Sequence, residues 1–467
     1  MLIPGPKVHF IGIGGYGMSG LAMALLERGY RVTGSDVEEK PILDELRAKG
    51  AVIFLGHDAG HVKGANLVVY STAVAADNVE RRAAQLLHIP LWHRSELLAA
   101  FLSAGSGIAV AGSHGKTTTT TMIGLILLDA GADPTVIVGG EVPAFAGTAC
   151  AGRSPVIVAE ADESDRSFLR YHPSIAVVTN VEPDHLEHYN GQVKLLEEAF
   201  LQYINQTQPD GLAVLCLDDA FLQKALCQHQ ILVPFTTYGS HMSATWRVCD
   251  TKVSATGTDF LLCHEDERFS LHLNLYGSQY AIDAAAAFAV CRHLGISPAK
   301  IAHTLSTMQN AHRRFEVLYR DEQFTVVDDY AHHPTEIAAT LQTARSIASG
   351  RVIASFQPQR FTRTQYLFDQ FATAFQDADE VFVLPIYAPV GDRPTQGIDS
   401  EHLVEAICRR SKTSAHYVPN METLFATLVQ HLVPGDVVVT MGATGIWRLA
   451  EKLRDYAAEH RGSFLVR

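Results

Sequence analysis

With 467 residues, 47% of them apolar, the chain holds material for about three buried cores. Its formal charge of −13 argues against a general nucleic-acid binder, which needs a basic patch or stripe. An anionic ligand held by a few local amides and basic side chains stays open. The seven cysteines are odd in number and lack a C-x-x-C pair, so they read as reduced, mostly buried thiols of a cytoplasmic protein rather than a metal site or disulfide frame.

The apolar stretch from Val8 to Leu26 is broken by Gly12, Gly14, Gly15, Gly17 and Gly20. It therefore reads as strand, glycine turn and helix, not as a signal peptide or membrane span. After the strand "KVHFIGI" come a helix in "GMSGLAMALLERG", a strand in "YRVTGSD", a helix in "PILDELRAKG", and strands in "AVIFLG" and "NLVVYSTA". Strands alternating with helices predict a parallel sheet with helices on its faces. The small, polar "SAGSG" at 103–107 marks a boundary and gives a first domain over 1–104. The pattern restarts with strands in "GIAVAG", "SPVIVAEA", "IAVVTN", "DGLAVLCLDD" and "VPFTTYG", followed by the alanine-rich helix "YAIDAAAAFAVCRHLGI". A second boundary near Val317, after "AHRRFE", gives domains over 105–316 and 317–467. The last has strands in "QFTVVDDYA", "RVIASFQ", "EVFVLPIY" and "GDVVVTMG", so all three domains are expected to be α/β.

Gly112-Ser113-His114-Gly115-Lys116-Thr117 follows the strand "GIAVAG" and opens a threonine-rich helix. Successive N–H groups of such a turn form an anion cradle, and the helix adds its positive end. Lys116 can reach outer phosphates, and the Thr117 hydroxyl can ligate the Mg²⁺ that travels with them. The spacing G-x-x-G-K-T is shorter than the common phosphate loop, so the placement between strand and helix carries the reading. The bland alternative is a strand–helix turn with a surface lysine.

Two further strands end in acids: Glu160, Asp162, Glu163 and Asp165 on one, Asn180, Glu182, Asp184 and His185 on the other. Ligands of open parallel sheets sit outside the carboxyl ends of the strands. If these strands flank the loop strand, carboxylates and an imidazole meet Lys116 and Thr117, and one or two carboxylates suffice for Mg²⁺. Taken singly, the first run reads as an acidic loop and His185 as a helix-start histidine. In "GIGGYGMSG", Gly12, Gly14 and Gly17 fit G-x-G-x-x-G, with Asp36 at a later strand end where a dinucleotide fold contacts ribose. An NAD-dependent oxidoreductase is the rival this raises. A second phosphate loop is hard to explain for such an enzyme. A nucleotide-linked substrate in the first domain and ATP in the second explain both.

Along the whole chain and in order, "GIGGYGMSG", "GSHGKTTTT", "EADESDRSFL", "VVTNVEPDHLEHY", "HRRFE", "DDYAHHPTEI" and "FQPQRFTRT" resemble the Mur ligases of bacterial cell-wall synthesis. The resemblance implies a Rossmann-like UDP-sugar-binding domain, a central P-loop-type ATPase domain and a Rossmann-like C-terminal domain. It implies ATP-driven peptide-bond formation, and the likeness is greatest to the branch that joins L-alanine to the lactyl carboxylate of UDP-N-acetylmuramate through an acyl phosphate. A related muropeptide ligase, a paralogue with another acceptor and a non-catalytic nucleotide-binding homologue are the alternatives. Neither nucleic acid nor membrane insertion is expected, and the chain is expected to be a monomer or homodimer.

Carried over by position, the resemblance implies that Gly112, Ser113, His114, Gly115, Lys116, Thr117 and Thr118 surround the phosphates. Thr117, Glu160 and His185 belong to metal sites, and Arg314 reaches nucleotide from a hinge. Asp329 and Tyr330 approach the nucleotide, His332 the reacting centre, and Arg363 holds a substrate anion. Gly14, Gly15, Asp36, Ser71 and His93 line the UDP-sugar site. Lys116, His185, Arg314, His332 and Arg363 form the expected catalytic set. On their own, Tyr330 reads as core packing and Arg363 as a solvated helix residue.

The chain departs from the family at several points. G-x-H-N-x-x-N becomes Gly277-Ser278-Gln279-Tyr280-Ala281-Ile282-Asp283, so Tyr280 and Asp283 replace two adenine-side asparagines. Ala149 replaces an asparagine, Gln359 a histidine, and Gly-Ala-Gly with Asn or Asp reads Gly442-Ala443-Thr444-Gly445. ATP is expected to serve still, with Tyr280 stacking on the base and Asp283 accepting from its amino group.

Overall fold

A computed structural model describes residues 3–460 except 229, 322, 323, 390, 391 and 412. The outermost residues of the first and third expected domains, 1–2 and 461–467, lie outside the described residues. The chain divides into two compact units. One comprises Met1–Asp250, Phe260–His272 and Ala281–Ala311; the other comprises Thr251–Asp259, Leu273–Tyr280 and His312–Arg467.

The first unit opens with β1 (Lys7–Ile11), β2 (Arg31–Asp36), β3 (Val52–Leu55), β4 (Leu67–Tyr70) and β5 (Leu91–His93). They form a sheet of order β3-β2-β1-β4-β5 in which all neighbours are parallel. Val8, His9, Phe10 and Ile11 are fully buried, as in a strand covered on both faces. The chain leaves β1 for β2 on one side and later resumes at β4 on the other. The end of β1, where the glycine turn begins, is therefore a topological switch point, the place where open α/β sheets bind ligands.

The next sheet contains β6 (Ser106–Ala111), β7 (Thr135–Val142), β8 (Gly147–Cys150), β9 (Val156–Glu160) and β10 (Ile175–Val178). It continues with β11 (Leu212–Cys216), β12 (Phe235–Gly239), β13 (Trp246–Ser254), β14 (Gly257–His264) and β15 (Glu267–Leu273). Its order is β15-β14-β13-β12-β11-β10-β6-β9-β7-β8, and β7–β8 is an antiparallel hairpin. Strand β6 lies between β10 and β9, parallel to both, so its end is a second switch point.

The helix Lys116–Asp129 that follows β6 starts with five threonines, which are β-branched and poor helix formers. Tertiary contacts override the propensity: Thr118 is 3% exposed and Thr119, Thr120 and Thr121 are 0%. The Thr118 hydroxyl accepts from Asn310 Nδ2 at 3.2 Å, and the Thr119 hydroxyl donates to Asp283 at 3.3 Å. Further along, a Cβ on Gly124 would come within 2.7 Å of Val136 Cγ1 on β7, so the glycine sets how closely helix and sheet approach.

The second unit holds β16 (Glu316–Arg320), β17 (Phe324–Asp329), β18 (Val352–Phe356), β19 (Glu380–Val383), β20 (Ser414–Tyr417) and β21 (Asp436–Met441). The order is β16-β17-β21-β18-β19-β20. Only β16 runs antiparallel to its neighbour, with a slip between Val317 and Tyr319. Val326, Ile353, Phe382 and Val438 of this sheet share a core with Leu449 and Leu453 of the helix Trp447–Glu459. The sequence reading did not include β5, β7, β8, β13 to β15, β16 or β20.

All seven cysteines are free thiols, with Cys227 and Cys408 exposed rather than buried. Among the described residues, no helix is long and apolar enough to cross a membrane.

The close approach at Gly124 gives a stability prediction. Gly124→Ala should lower the unfolding free energy by about 1–3 kcal/mol, as overpacking does in a filled core. A urea titration checks it; an unchanged midpoint would mean that the helix moves outward at no cost.

Candidate active site

The phosphate loop is fixed from the neighbouring strand. Ser113 N donates to Asn180 O at 3.1 Å and His114 N to Asn180 Oδ1 at 2.8 Å. Asn180 Nδ2 returns a bond to His114 O at 3.2 Å, and Glu182 N donates to Ser113 Oγ at 2.8 Å. Gly112 (φ 139°) and Gly115 (φ 80°) both lie in the region that favours glycine. A Cβ on Gly112 would fall 1.9 Å from Thr179 Oγ1, and one on Gly115 would fall 2.6 Å from Asp283 Oδ1. The cradle that opens the Lys116–Asp129 helix thus admits only glycine at these two points.

Both Glu163 carboxylate oxygens lie 2.9 Å from the Lys116 ammonium, which also donates to the carbonyls of Gly112 and Ser113. Burial opposes the lysine charge, but Glu163, Asp162 and Glu160 outweigh it and hold the pKa above its ordinary value. Burial likewise pushes Asp162 up, yet Lys116, the Ser164 bonds and Arg94 outweigh it and keep that carboxyl below the usual range. Arg94 Nη2 lies 3.4 Å from Asp162 Oδ2.

The residues expected at a metal are positioned as follows. Val110 is in register with Glu160, and Ala111 with Val178, so the ends of β9, β6 and β10 lie side by side. Glu160 Oε1 accepts from Gly139 N at 2.5 Å. A Cβ on the next residue, Gly140, would lie 3.4 Å from Thr117 Cγ2. Glu160 and Thr117 therefore border the same glycine pair of β7. His185, with a left-handed backbone (φ 53°), sits between Asp184 at 3.5 Å and Glu187 at 3.6 Å on the β10 loop. A glycine cradle, a charged lysine, a threonine hydroxyl and a carboxylate fit a polyphosphate and a hard cation with oxygen ligands.

Sequence reasoning named Glu163 as one acid of its run without assigning it to Lys116, and left out Gly139 and Gly140. The signal for Glu163 was its place in the same acidic run as Glu160; for the glycines it was "VIVGGEV". Asp283, read as a contact to the base, is 8% exposed and engaged at the loop through Thr119. Tyr280, on the same helix Ser278–His293, is also buried.

At the other switch point, Ser35 O accepts from Gly12 N at 2.8 Å and Ile13 N at 3.0 Å, and Asp36 Oδ2 accepts from Gly14 N at 2.8 Å. Asp36, expected at a ribose, is thus tied to the glycine turn. A Cβ on Gly14 would lie 2.9 Å from its carboxylate. Gly15 caps the helix Tyr16–Glu27. Ser71 follows β4 and His93 ends β5, so Gly14, Ser71 and His93 lie at the carboxyl ends of adjacent strands. His93 Nδ1 is bonded to Ser95 Oγ at 2.8 Å, while the buried Nε2 has no protein partner. Burial and Arg94 push its pKa down, which favours the neutral ring.

In the second unit, Arg313 is anchored from three sides. Its Nε meets Asp328 at 2.7 Å, and its Nη atoms donate to Gly442 O at 2.6 Å and Thr444 O at 3.2 Å. Arg313 and Arg314 stand 5.1 and 5.3 Å from the Tyr330 ring centre, so this tyrosine is bracketed by guanidinium groups rather than lost in apolar packing. His332 N donates to Glu336 at 2.9 Å, and its ring meets Tyr330 edge-on at 5.3 Å. Arg363 is 6% exposed and lies 3.5 Å from Gln359 Oε1, not out in solvent. Asp329 accepts from Phe315 N and Ala331 N, both at 2.7 Å. Burial outweighs Arg314 and pushes the Asp329 carboxyl up to about 7.

The chain belongs to the Mur ligase family and is an ATP-dependent ligase that forms amide bonds. Three family models match in order: "Mur ligase family, catalytic domain" over residues 7–105, "Mur ligase middle domain" over 110–291, and "Mur ligase, glutamate ligase domain" over 313–444. It is 46% identical to the UDP-N-acetylmuramate–L-alanine ligase of Symbiobacterium thermophilum, over 96% of this chain and 94% of that protein. It is 42% identical to the ligase of the same name from Syntrophotalea carbinolica, over 96% and 97%. Among solved structures, the UDP-N-acetylmuramate-alanine ligase of Thermotoga maritima is similar at a TM-score of 0.77 and 28% identity, covering 97% of this chain and 99% of that one. A murein peptide ligase from Psychrobacter arcticus shares the fold at a TM-score of 0.66 and 24% identity, over 96% and 98%.

The raised Asp329 carboxyl predicts a pH effect on stability. From its ordinary range up to about 7, the native state keeps a proton that the unfolded chain has lost. Stability then falls as pH rises through that window. Wild type should therefore lose melting temperature relative to Asp329→Asn between pH 4 and pH 7. A constant difference across those pH values would place the carboxyl in its ordinary range.

Proposed function

We propose that this chain joins L-alanine to the lactyl carboxylate of UDP-N-acetylmuramate at the expense of ATP, in cytoplasmic peptidoglycan precursor synthesis. The observation that carries the reading is the charged Lys116 in its glycine cradle beside Thr117 and Glu160. It occurs in a chain similar along nearly its whole length to ligases of that name.

The chemical difficulty is charge. A carboxylate must attack the γ-phosphorus of ATP, and both partners are anions. The carboxylate oxygen forms the new P–O bond, ADP leaves, and an acyl phosphate results. The alanine amine then attacks the acyl carbon, phosphate leaves, and the amine gives up a proton. Lys116 and the loop N–H groups neutralise the phosphates, as fixed donors do wherever charge develops in a transition state. Thr117, Glu160 and His185 would hold Mg²⁺, which supplies further neutralisation when bound.

Within this reading, Gly14, Gly15, Asp36, Ser71 and His93 hold the UDP-sugar. The neutral His93 offers its free Nε2 as a hydrogen-bonding group. Arg314, Asp329, Tyr330, His332 and Arg363 serve the nucleotide and the reacting groups, as the family resemblance assigns them. Asp283 and Tyr280 belong to the nucleotide side, with Asp283 acting at the loop through Thr119.

Lys116→Ala should reduce phosphate release by roughly 10²-fold or more, since it removes a charge that acts on the transferring group. Calorimetric binding of UDP-N-acetylmuramate should stay nearly unchanged. Near-wild-type turnover would sink the assignment of the loop to ATP. The acceptor is checked by phosphate release with UDP-N-acetylmuramate and a panel of amino acids and peptides. L-alanine should give the highest kcat/KM, whereas a preferred peptide would make the chain a muropeptide ligase.

A further inference from the structure

Glu80 lies in the first turn of the helix Val79–Leu86, a position where a carboxylate ordinarily faces water, yet it is fully buried. Five groups reach it from three segments of the first sheet, one of them the Asp58 N–H, which donates to Oε1 at 3.4 Å. Ser35 Oγ, at the end of β2, donates to Oε2 at 2.6 Å. From the segment after β3, His57 Nδ1 is 3.1 Å from Oε2 and His61 Nδ1 is 2.7 Å from Oε1. His9 of β1 lies 3.8 Å away through Nε2, its Nδ1 being bonded to Thr33 Oγ1 at 2.8 Å. Phe54 stacks on His61 at 4.1 Å between ring centres.

Burial pushes the Glu80 carboxyl up, but His9, Ser35 and His61 outweigh it and hold it at about 2. It is therefore ionised throughout the working range of pH. A buried charge is costly unless paired and hydrogen-bonded, and apolar residues of similar volume would serve packing alone as well.

The use of this charge is visible one bond away. The residue whose hydroxyl Glu80 holds, Ser35, offers its carbonyl to Gly12 N and Ile13 N, and the next residue, Asp36, takes Gly14 N. Three successive amides of the glycine turn thus hang on a strand end that is pinned from behind by one carboxylate. We infer that Glu80 is a positioning residue for the UDP-sugar site, fixing through Ser35 the strand end that shapes the glycine turn. This rests on the proposal that the glycine turn holds the UDP-sugar. A turn that is preformed binds its ligand without the cost of ordering it.

The test compares Glu80→Gln and Ser35→Ala with Gly14→Val, which obstructs the turn directly, by steady-state phosphate release from the full-length enzyme. Losing a hydrogen bond to a charged group should raise KM for UDP-N-acetylmuramate about tenfold in Glu80→Gln, and in the same direction in Ser35→Ala. kcat and KM for ATP should stay within about twofold, because the phosphate loop is held by other bonds. If Gly14→Val raises KM for the UDP-sugar while Glu80→Gln and Ser35→Ala do not, the positioning role is overturned and the site reading stands. If Gly14→Val leaves that KM unchanged, the site reading itself falls. A fall in kcat together with a rise in both KM values would mark Glu80 as merely structural. Should Glu80→Gln fail to fold by circular dichroism, Ser35→Ala, which removes one oxygen and keeps the carbonyl, decides the question.

Discussion

A lysine ammonium largely withdrawn from water, in the loop that follows a β-strand, must be neutralised, and much of the first unit follows from how this is done for Lys116. Both oxygens of Glu163 approach it at 2.9 Å, and two loop carbonyls complete its shell. The charge is thereby kept within the phosphate loop before any nucleotide arrives. The solution requires the acidic run after β9 to lie beside the loop after β6, which the β10-β6-β9 order provides. Tyr189, from the segment after β10, donates to the Glu163 carbonyl at 2.6 Å, so the strand on the far side of β6 also helps to hold the counter-charge in place.

The two switch points solve one problem in different ways. After β6, the loop is clasped by an asparagine of the neighbouring strand, and its own lysine provides positive charge. After β1, there is no lysine in the turn; its amides are occupied by Ser35 and Asp36 instead. The first geometry suits a phosphate that is transferred and needs concentrated charge. The second, with its amides already bonded within the protein, brings no such charge. Two glycine turns in one chain therefore do not imply two equivalent sites.

How much of this could be read from sequence depends on the range of each contact. The strands β1, β6, β17 and β21 were legible because burial on both faces writes an unbroken apolar run. The loop at Gly112–Thr117 was legible because its glycines, lysine and threonine are local. Strands β7 and β8 were not, since Gly139, Gly140 and Gly147 break their pattern and the hairpin is closed by pairing. The partner of Lys116 was hidden among four acids in "EADESD", where only the path of the chain after β9 selects Glu163. The Glu80 cluster left no local trace at all: its members come from positions 9, 35, 57, 61 and 80. Asp283, which the family resemblance sets in the place of a base-reading asparagine, also accepts from Thr119, a contact across 164 residues that no pattern encodes.

One carboxylate links the two switch points. Asp162 follows β9 in the phosphate site, and both Lys116 and Arg94 hold it ionised. Arg94 opens the helix that His93 caps at the end of β5, and a Cβ on Gly17 would lie 3.1 Å from its guanidinium. The same arginine thus borders the glycine-turn helix of the first sheet and pairs with the acidic loop of the second at 3.4 Å. Because Lys116 and Arg94 act on a single carboxylate, whose side chain is 38% exposed, a change of charge near one cation alters the field at the other, weakened by the solvent that reaches the shared anion. The effect requires no movement of the backbone: a Coulomb interaction acts directly between charges a few ångströms apart, even at a partly solvated pair.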